Sequence, residues 1–168
     1  MTLAIVYSRA NLGVDSPLVT VEAHLSNGLP AFNIVGLPET AVKESKERVR
    51  SALINADFEF PNRRITINLA PADLPKDGGR YDLPIAIAIL CASGQIPVSE
   101  LEKLEFVGEL ALSGELRRIS GIFSAAIAAN TANRQLIVPT DNREEAAIAN
   151  HGHSLAAKHL LEVCALLK

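Results

Sequence analysis

The stretch Pro75-Lys76-Asp77-Gly78-Gly79-Arg80-Tyr81-Asp82 sets two glycines and a Lys/Asp pair directly before an apolar run that begins at Leu83. A helix start offers free N–H groups to an anion, so Lys76, Gly78 and Gly79 form a candidate phosphate or carboxylate loop. A purely structural reading stands beside it, a tight loop in which Asp82 caps the helix and Pro84 fits its first turn. A second chemical feature is the charged run Lys43 to Arg50. Lys43 with Glu47, and Glu44 with Arg48, stand at the four-residue spacing that supports an exposed helix. Lys46 and Arg50 lie one turn apart with no acidic partner between them, and so make a basic ridge for DNA phosphates or an acidic neighbouring subunit. Arg63, Arg64 and Arg117 add to that ridge only if the fold gathers them.

Other chemistries find no footing. No stretch matches the phosphate cradle G-x-x-x-x-G-K-[ST] or the dinucleotide fingerprint G-x-G-x-x-G. Of the four histidines, His24 stands alone, and His151, His153 and His159 crowd near the C-terminus without cysteine or an ordered carboxylate at ligand spacing, as in a polar loop and helix start. Cys91 and Cys164 sit inside apolar helical patterns, as reduced core thiols of a cytoplasmic protein do. The 16 basic and 19 acidic residues give a net charge of −3, so any nucleic-acid contact has to come from a local patch or a partner chain. With no tryptophan and 4% aromatics, stacking on bases is nearly excluded. The longest apolar run, Leu83 to Ala92, is far below the roughly 18 residues of a membrane span, so no membrane partner is expected.

The elements that must position these groups follow from periodicity. Thr2 to Ser8 and Val19 to Leu25 alternate as strands, and Asn27-Gly28 predicts a tight hairpin turn into a strand from Ala31 to Val35. Gly36 to Thr40 opens a helix running to about Asn55, with Ala41, Val42, Ser45, Val49, Ala52 and Leu53 on its apolar face. Arg64 to Leu69 is the next strand, and Asp82 to Ser93 a helix apolar nearly all round, hence buried on several sides. Phe106 to Leu112 and Glu115 to Arg117 flank a Ser113-Gly114 hairpin. Helices over Ile122 to Ala132, Asp141 to Asn150 (capped by Asp141 or Asn142) and Lys158 to Leu167 alternate with short strands over Gln135 to Val138 and His153 to Ala156. Hairpins first and helix–strand alternation later predict an α/β (α+β) fold, a mixed β-sheet with packed helices, in one domain over residues 1–168 with one aliphatic core. Such a chain should expose about 8,000 Å² when folded.

Phe32 to Pro38, Glu44 to Leu53, Ile65 to Lys76 and Tyr81 to Ala86 are long ordered blocks, continued by Gly108-Glu109-Leu110 and Gly114 to Arg117. Through them essentially the whole chain resembles the N-terminal domain of the ComM/YifB family, the magnesium-chelatase-like AAA+ ATPases. The resemblance implies a homo-hexameric motor in DNA processing, a helicase of branch migration in natural transformation. It places ATP and magnesium in an ATPase module downstream, absent from these 168 residues, with no cofactor or metal in this domain. The domain's own part would be ring assembly or DNA engagement. The fold implied is similar to the proteolytic domain of Lon and to the second domain of a small-subunit ribosomal protein. Lon's Ser nucleophile follows a P-K-D-G-P sequence and its Lys base follows a G-E-x-x-x-x-G hairpin. Here Pro75 to Gly79 match four of five positions, but the nucleophile position holds Arg80 and the base position falls near Phe123. Ser120 and Ser124 have no matching lysine nearby. A Ser–Lys dyad needs both halves, so the resemblance implies a non-catalytic scaffold. A Lon-like peptidase, or an accessory domain of a chelatase ATPase, is the alternative.

Overall fold

Strand β1 (Leu3–Arg9) and strand β2 (Leu18–Ser26) send alternate side chains inward, Ala4 and Val6 from the first and Val19, Val21, Ala23 and Leu25 from the second. They form an antiparallel hairpin whose loop is closed by reciprocal Leu12–Asp15 backbone bonds of 2.9 Å. Then come β3 (Ala31–Val35), helices α1 (Thr40–Lys43) and α2 (Ser45–Asn55), β4 (Arg64–Ala70) and helix α3 (Asp82–Ala92). The second half holds β5 (Leu104–Phe106), the hairpin β6 (Glu109–Leu110) and β7 (Leu116–Arg117), α4 (Ile122–Thr131), β8 (Gln135–Pro139), α5 (Arg143–Asn150), β9 (Leu155–Ala157) and α6 (Leu160–Leu166). The computed structural model describes residues 2–97 and 99–168.

The main sheet runs β1-β2-β4-β3, with β3 parallel to β4 and the other pairs antiparallel. Its inner face carries the registered pairs Val21–Leu69, Ala23–Ile67 and Leu25–Ile65, and α3 lies across it with every one of its 11 residues buried. A helix without a polar face has to be covered all round, and this one is. A parallel three-stranded sheet, β5-β8-β9, stands beside β1, where the Ser8 hydroxyl donates to the Phe106 carbonyl at 2.7 Å. Helices α4 and α5 pack on that sheet around a second, smaller apolar cluster that includes Val107, Ile122, Ala126, Leu136 and Ala146. The folded chain exposes 7978 Å².

The mixed sheet with packed helices is the expected fold class, and three local expectations are corrected. Asn27-Gly28 does not make a β2–β3 hairpin: β4 lies between them, because its seven residues pair with β2 along their whole length while β3 offers five. The helix expected to run unbroken to Asn55 is divided at Glu44, where the Glu44 carbonyl accepts a tight 3.2 Å bond from the Glu47 N–H. The single core is two clusters, since the second sheet buries its far face against its own helices.

Candidate functional site

Helix α2 presents Arg50 beside the segment that leads into β4, and there the guanidinium lies over the Phe60 ring, 5.0 Å from its centroid. Phe60 in turn meets Phe32 of β3, with ring centroids 5.7 Å apart and planes inclined by 34°. Arg63 completes the arrangement: its Nη2 donates to the Leu25 carbonyl at 3.3 Å, while its buried Nε has no acceptor among the described residues. Phe32, Arg50, Ile54, Phe60, Asn62 and Arg63 surround a hollow of about 320 Å³. Two cations and two ring faces around one hollow suit a phosphate and an unstacked base. Aromatics are scarce in composition, yet two of the five phenylalanines stand where the arginines do. Lys46 lies one turn back on α2, half-buried and outside the hollow, and exposed Arg64 pairs in register with Ala31 on its wall. Arg117, exposed on β7, does not line it.

In the glycine-rich loop, Lys76 departs from its anion-site reading. Lys76 is fully buried, and its ammonium donates to the carbonyls of Gly36, at 2.6 Å, and Pro71. Burial pulls its pKa down, with Asp73 opposing. Lys76 thus ties the loop to the end of β3, where Gly36 adopts φ +107° with Leu69's carbonyl so close that a Cβ would lie 2.1 Å from it. Gly78 and Gly79 line a separate hollow of about 320 Å³ with Arg80, Arg118, Asp77 and Glu109. Arg80 is 5% exposed; its Nε donates to the Arg9 carbonyl at 2.9 Å and its Nη1 to the Ser120 carbonyl at 3.0 Å, whereas its Nη2 has no partner among the described residues. Phe123, half exposed in the first turn of α4, lines an adjoining hollow of about 690 Å³. Arg80 and Phe123, which the resemblance to Lon sets at or near the dyad positions, thus border neighbouring hollows that share Asn11. Ser124 Oγ turns back to the Gly121 carbonyl at 3.4 Å, and Ser120 meets Arg80 through its carbonyl.

Sequence spacing missed the buried charges that hold these elements. Asp82 does not cap α3; it is buried, and accepts from Ser45 Oγ, from Arg48 Nε at 2.6 Å and from the Leu110 N–H at 3.0 Å. Burial pushes its carboxyl up while those donors pull it down. Arg48 accordingly pairs with Asp82 and not with Glu44, and Asp82 holds its pKa above the usual value. Asn142 spends its side chain on Ile119, donating to its carbonyl at 2.8 Å and accepting from its N–H at 3.0 Å, instead of capping α5. Glu105 is fully buried and receives Arg9 in a two-pronged pair of 2.7 and 2.8 Å, with Arg134 at 3.4 Å stacked over Tyr7 at 4.1 Å. The only foresight available was that charged residues stood inside apolar runs. His24, His151 and His153 are exposed, and His159 accepts the Leu161 N–H at the start of α6. Cys91 and Cys164 are buried free thiols, pushed up to about 12 and about 11 by burial. No helix among the described residues is long and apolar enough to cross a membrane.

Comparison with known proteins gives this geometry relatives. A family model described as subunit ChlI of Mg-chelatase matches residues 21–142. Competence protein ComM of Haemophilus influenzae is 56% identical over 167 residues, 99% of this chain and 33% of that protein. YifB of Escherichia coli is 55% identical over 168 residues, all of this chain and 33% of YifB. The chain thus spans about a third of the length of these relatives. Lon protease of Rhizobium meliloti is a distant match, 27% identical over 142 residues.

Proposed function

We propose a role for this chain from one premise: it belongs to the family of subunit ChlI of Mg-chelatase, and is ComM- and YifB-like along its whole length. In this reading it is the non-catalytic N-terminal domain of a ComM-type chelatase-related ATPase, and serves DNA processing by engaging DNA and joining subunits of a hexameric ring. The observation that carries DNA engagement is the hollow where Arg50 and Arg63 stand around the Phe32–Phe60 pair. The cations neutralise phosphates and the rings offer a salt-independent face, which suits a single strand or a frayed junction of the kind branch migration exposes. ATP and magnesium belong, in this reading, to a module outside these residues, since no stretch here forms a phosphate cradle. The peptidase alternative gains nothing from Arg80, whose guanidinium is a buried donor, or from Phe123, which has no titratable group.

The test is binding of a labelled single-stranded oligonucleotide by the 168-residue chain at low and moderate salt. Wild type should bind weakly, with affinity falling steeply as salt rises. Lys46→Glu with Arg50→Glu should reduce binding of all sequences alike, because phosphate contacts position without specifying. Phe60→Leu should weaken binding while leaving the salt slope unchanged. Binding unaffected by all three changes would sink the DNA reading; if the charge reversals weaken only ring assembly of the full-length protein, the ridge is a subunit contact. A chain that turns over ATP or an unfolded protein after repurification would overturn the non-catalytic part.

A further inference from the structure

We propose that the two adjoining hollows beside Arg80 receive the end of a polypeptide chain, an apolar last residue with its free carboxylate. Arg80 is buried to 5% exposure, and two of its three guanidinium nitrogens are taken by the carbonyls of Arg9 and Ser120. The third, Nη2, has no partner among the described residues. A guanidinium stays protonated, so this is a cationic donor left unused in the interior, and the partner it pairs with best is an oxyanion. Nη2 is closed to solvent, so an incoming group reaches it only where the lining of the hollow gives way.

The other charges around the first hollow select among oxyanions. Arg118 adds a cation, while Asp77 and Glu109 add two carboxylates. Glu109 lies against the glycine loop so closely that a Cβ on Gly79 would come within 2.3 Å of its Oε1. A phosphate dianion would meet both acids. An α-carboxylate is singly charged and carries an N–H on the same Cα, so the carboxylate can face Arg80 while the N–H donates to Glu109 or Asp77. Beyond the shared Asn11 the larger hollow supplies apolar surface from Val14, 90% exposed, and from Phe123 and Ile127. Gly121 lines that second hollow and packs against Asn11, where a Cβ would lie 2.5 Å from the amide side chain. One terminal residue thus has a place for each of its three groups. This inference rests on a surface different from the arginine–phenylalanine hollow and stands independently of DNA engagement.

The experiment titrates the 168-residue chain with a fluorescent hexapeptide ending in leucine, as free acid and as C-terminal amide, by anisotropy and by amide NMR. Free leucine and inorganic phosphate serve as competitors. The free acid should bind at least tenfold tighter than the amide and should shift the N–H signals of Gly78, Gly79 and Gly121. Arg80→Gln should abolish the difference between acid and amide. Should that variant fail to fold, Arg118→Gln, at an exposed position, should lower affinity for the acid severalfold and leave the melting curve unchanged. Equal binding of acid and amide, no binding of either, shifts elsewhere on the protein, or displacement of the peptide by free leucine or phosphate at comparable concentrations would each overturn the proposal.

Discussion

Arg48 and Asp82 are 34 positions apart in the chain and 2.6 Å apart in space. Local spacing offered each a nearer role, Glu44 for Arg48 and a helix cap for Asp82, and neither role is taken, because a buried carboxylate demands the strongest donors within reach. Nothing in the neighbouring residues announces such a partner. The same holds for Glu105 and Arg9, while the placement of Lys46 and Arg50 one turn apart on α2 was legible because helical spacing is local. Arg48→Ala should cost about 3 kcal/mol in denaturant melts, as removing one partner of a buried ion pair does, with the 22% exposure of the Arg48 side chain keeping it at the low end. A loss below about 0.5 kcal/mol would mean that water replaces the arginine without cost. The two thiols make a pH prediction. Their folded pKa values are raised above the ordinary thiol value, so the stabilisation of the neutral form is complete below about 9 and is lost as pH climbs through about 11 for Cys164 and about 12 for Cys91. Stability should therefore fall between pH 9 and 11, more steeply in wild type than in a Cys91→Ala, Cys164→Ala double variant. Parallel slopes in the two proteins would remove the thiols from the account.

At the scale of elements, α3 was readable because its pattern is extreme: a run without a polar face can only be a helix buried on all sides, and Ile85, Ile87, Ala88 and Leu90 are buried. Ile87→Ala should cost roughly 2 to 5 kcal/mol, measured by urea unfolding, through lost burial and an unfilled cavity. Strand β3 was placed correctly in sequence and wrongly in the sheet. A turn signal is local, whereas the choice between β3 and β4 as the neighbour of β2 is decided by how many residues pair, which periodicity does not count. Gly36 marks the other end of β3 with a hard constraint: Gly36→Ala meets both a positive φ and the Leu69 carbonyl. It should destabilise by more than the roughly 1 kcal/mol of an ordinary glycine replacement, with loss of the Lys76 anchor visible as new amide exchange around residues 71–80. Protection in that loop equal to wild type would show that the sheet end relaxes freely.

For the molecule as a whole, chain size foretold an exposed area near the 7978 Å² found and composition an aliphatic interior, but composition averages over the chain and so could say nothing of where five phenylalanines stand. Nor could it show that the interior is divided. The cluster under α4 and α5 is smaller than the one around α3, and β1 is tied to β5 by the Ser8–Phe106 bond and the Arg9–Glu105 pair. Native-state hydrogen exchange should therefore show α5 amides opening at a lower free energy than α3 amides, and a single common opening energy would mean that the clusters unfold as one unit. The insertion of β4 between β2 and β3 carries a consequence for synthesis. A nascent chain emerged only as far as Asn55 holds β2 and β3 without the strand that separates them, and its nearest available pairing is the one that Asn27-Gly28 favours. A hairpin formed at that stage would have to open for residues 64–70 to enter between its strands, so the order of translation bears on the route to the native sheet.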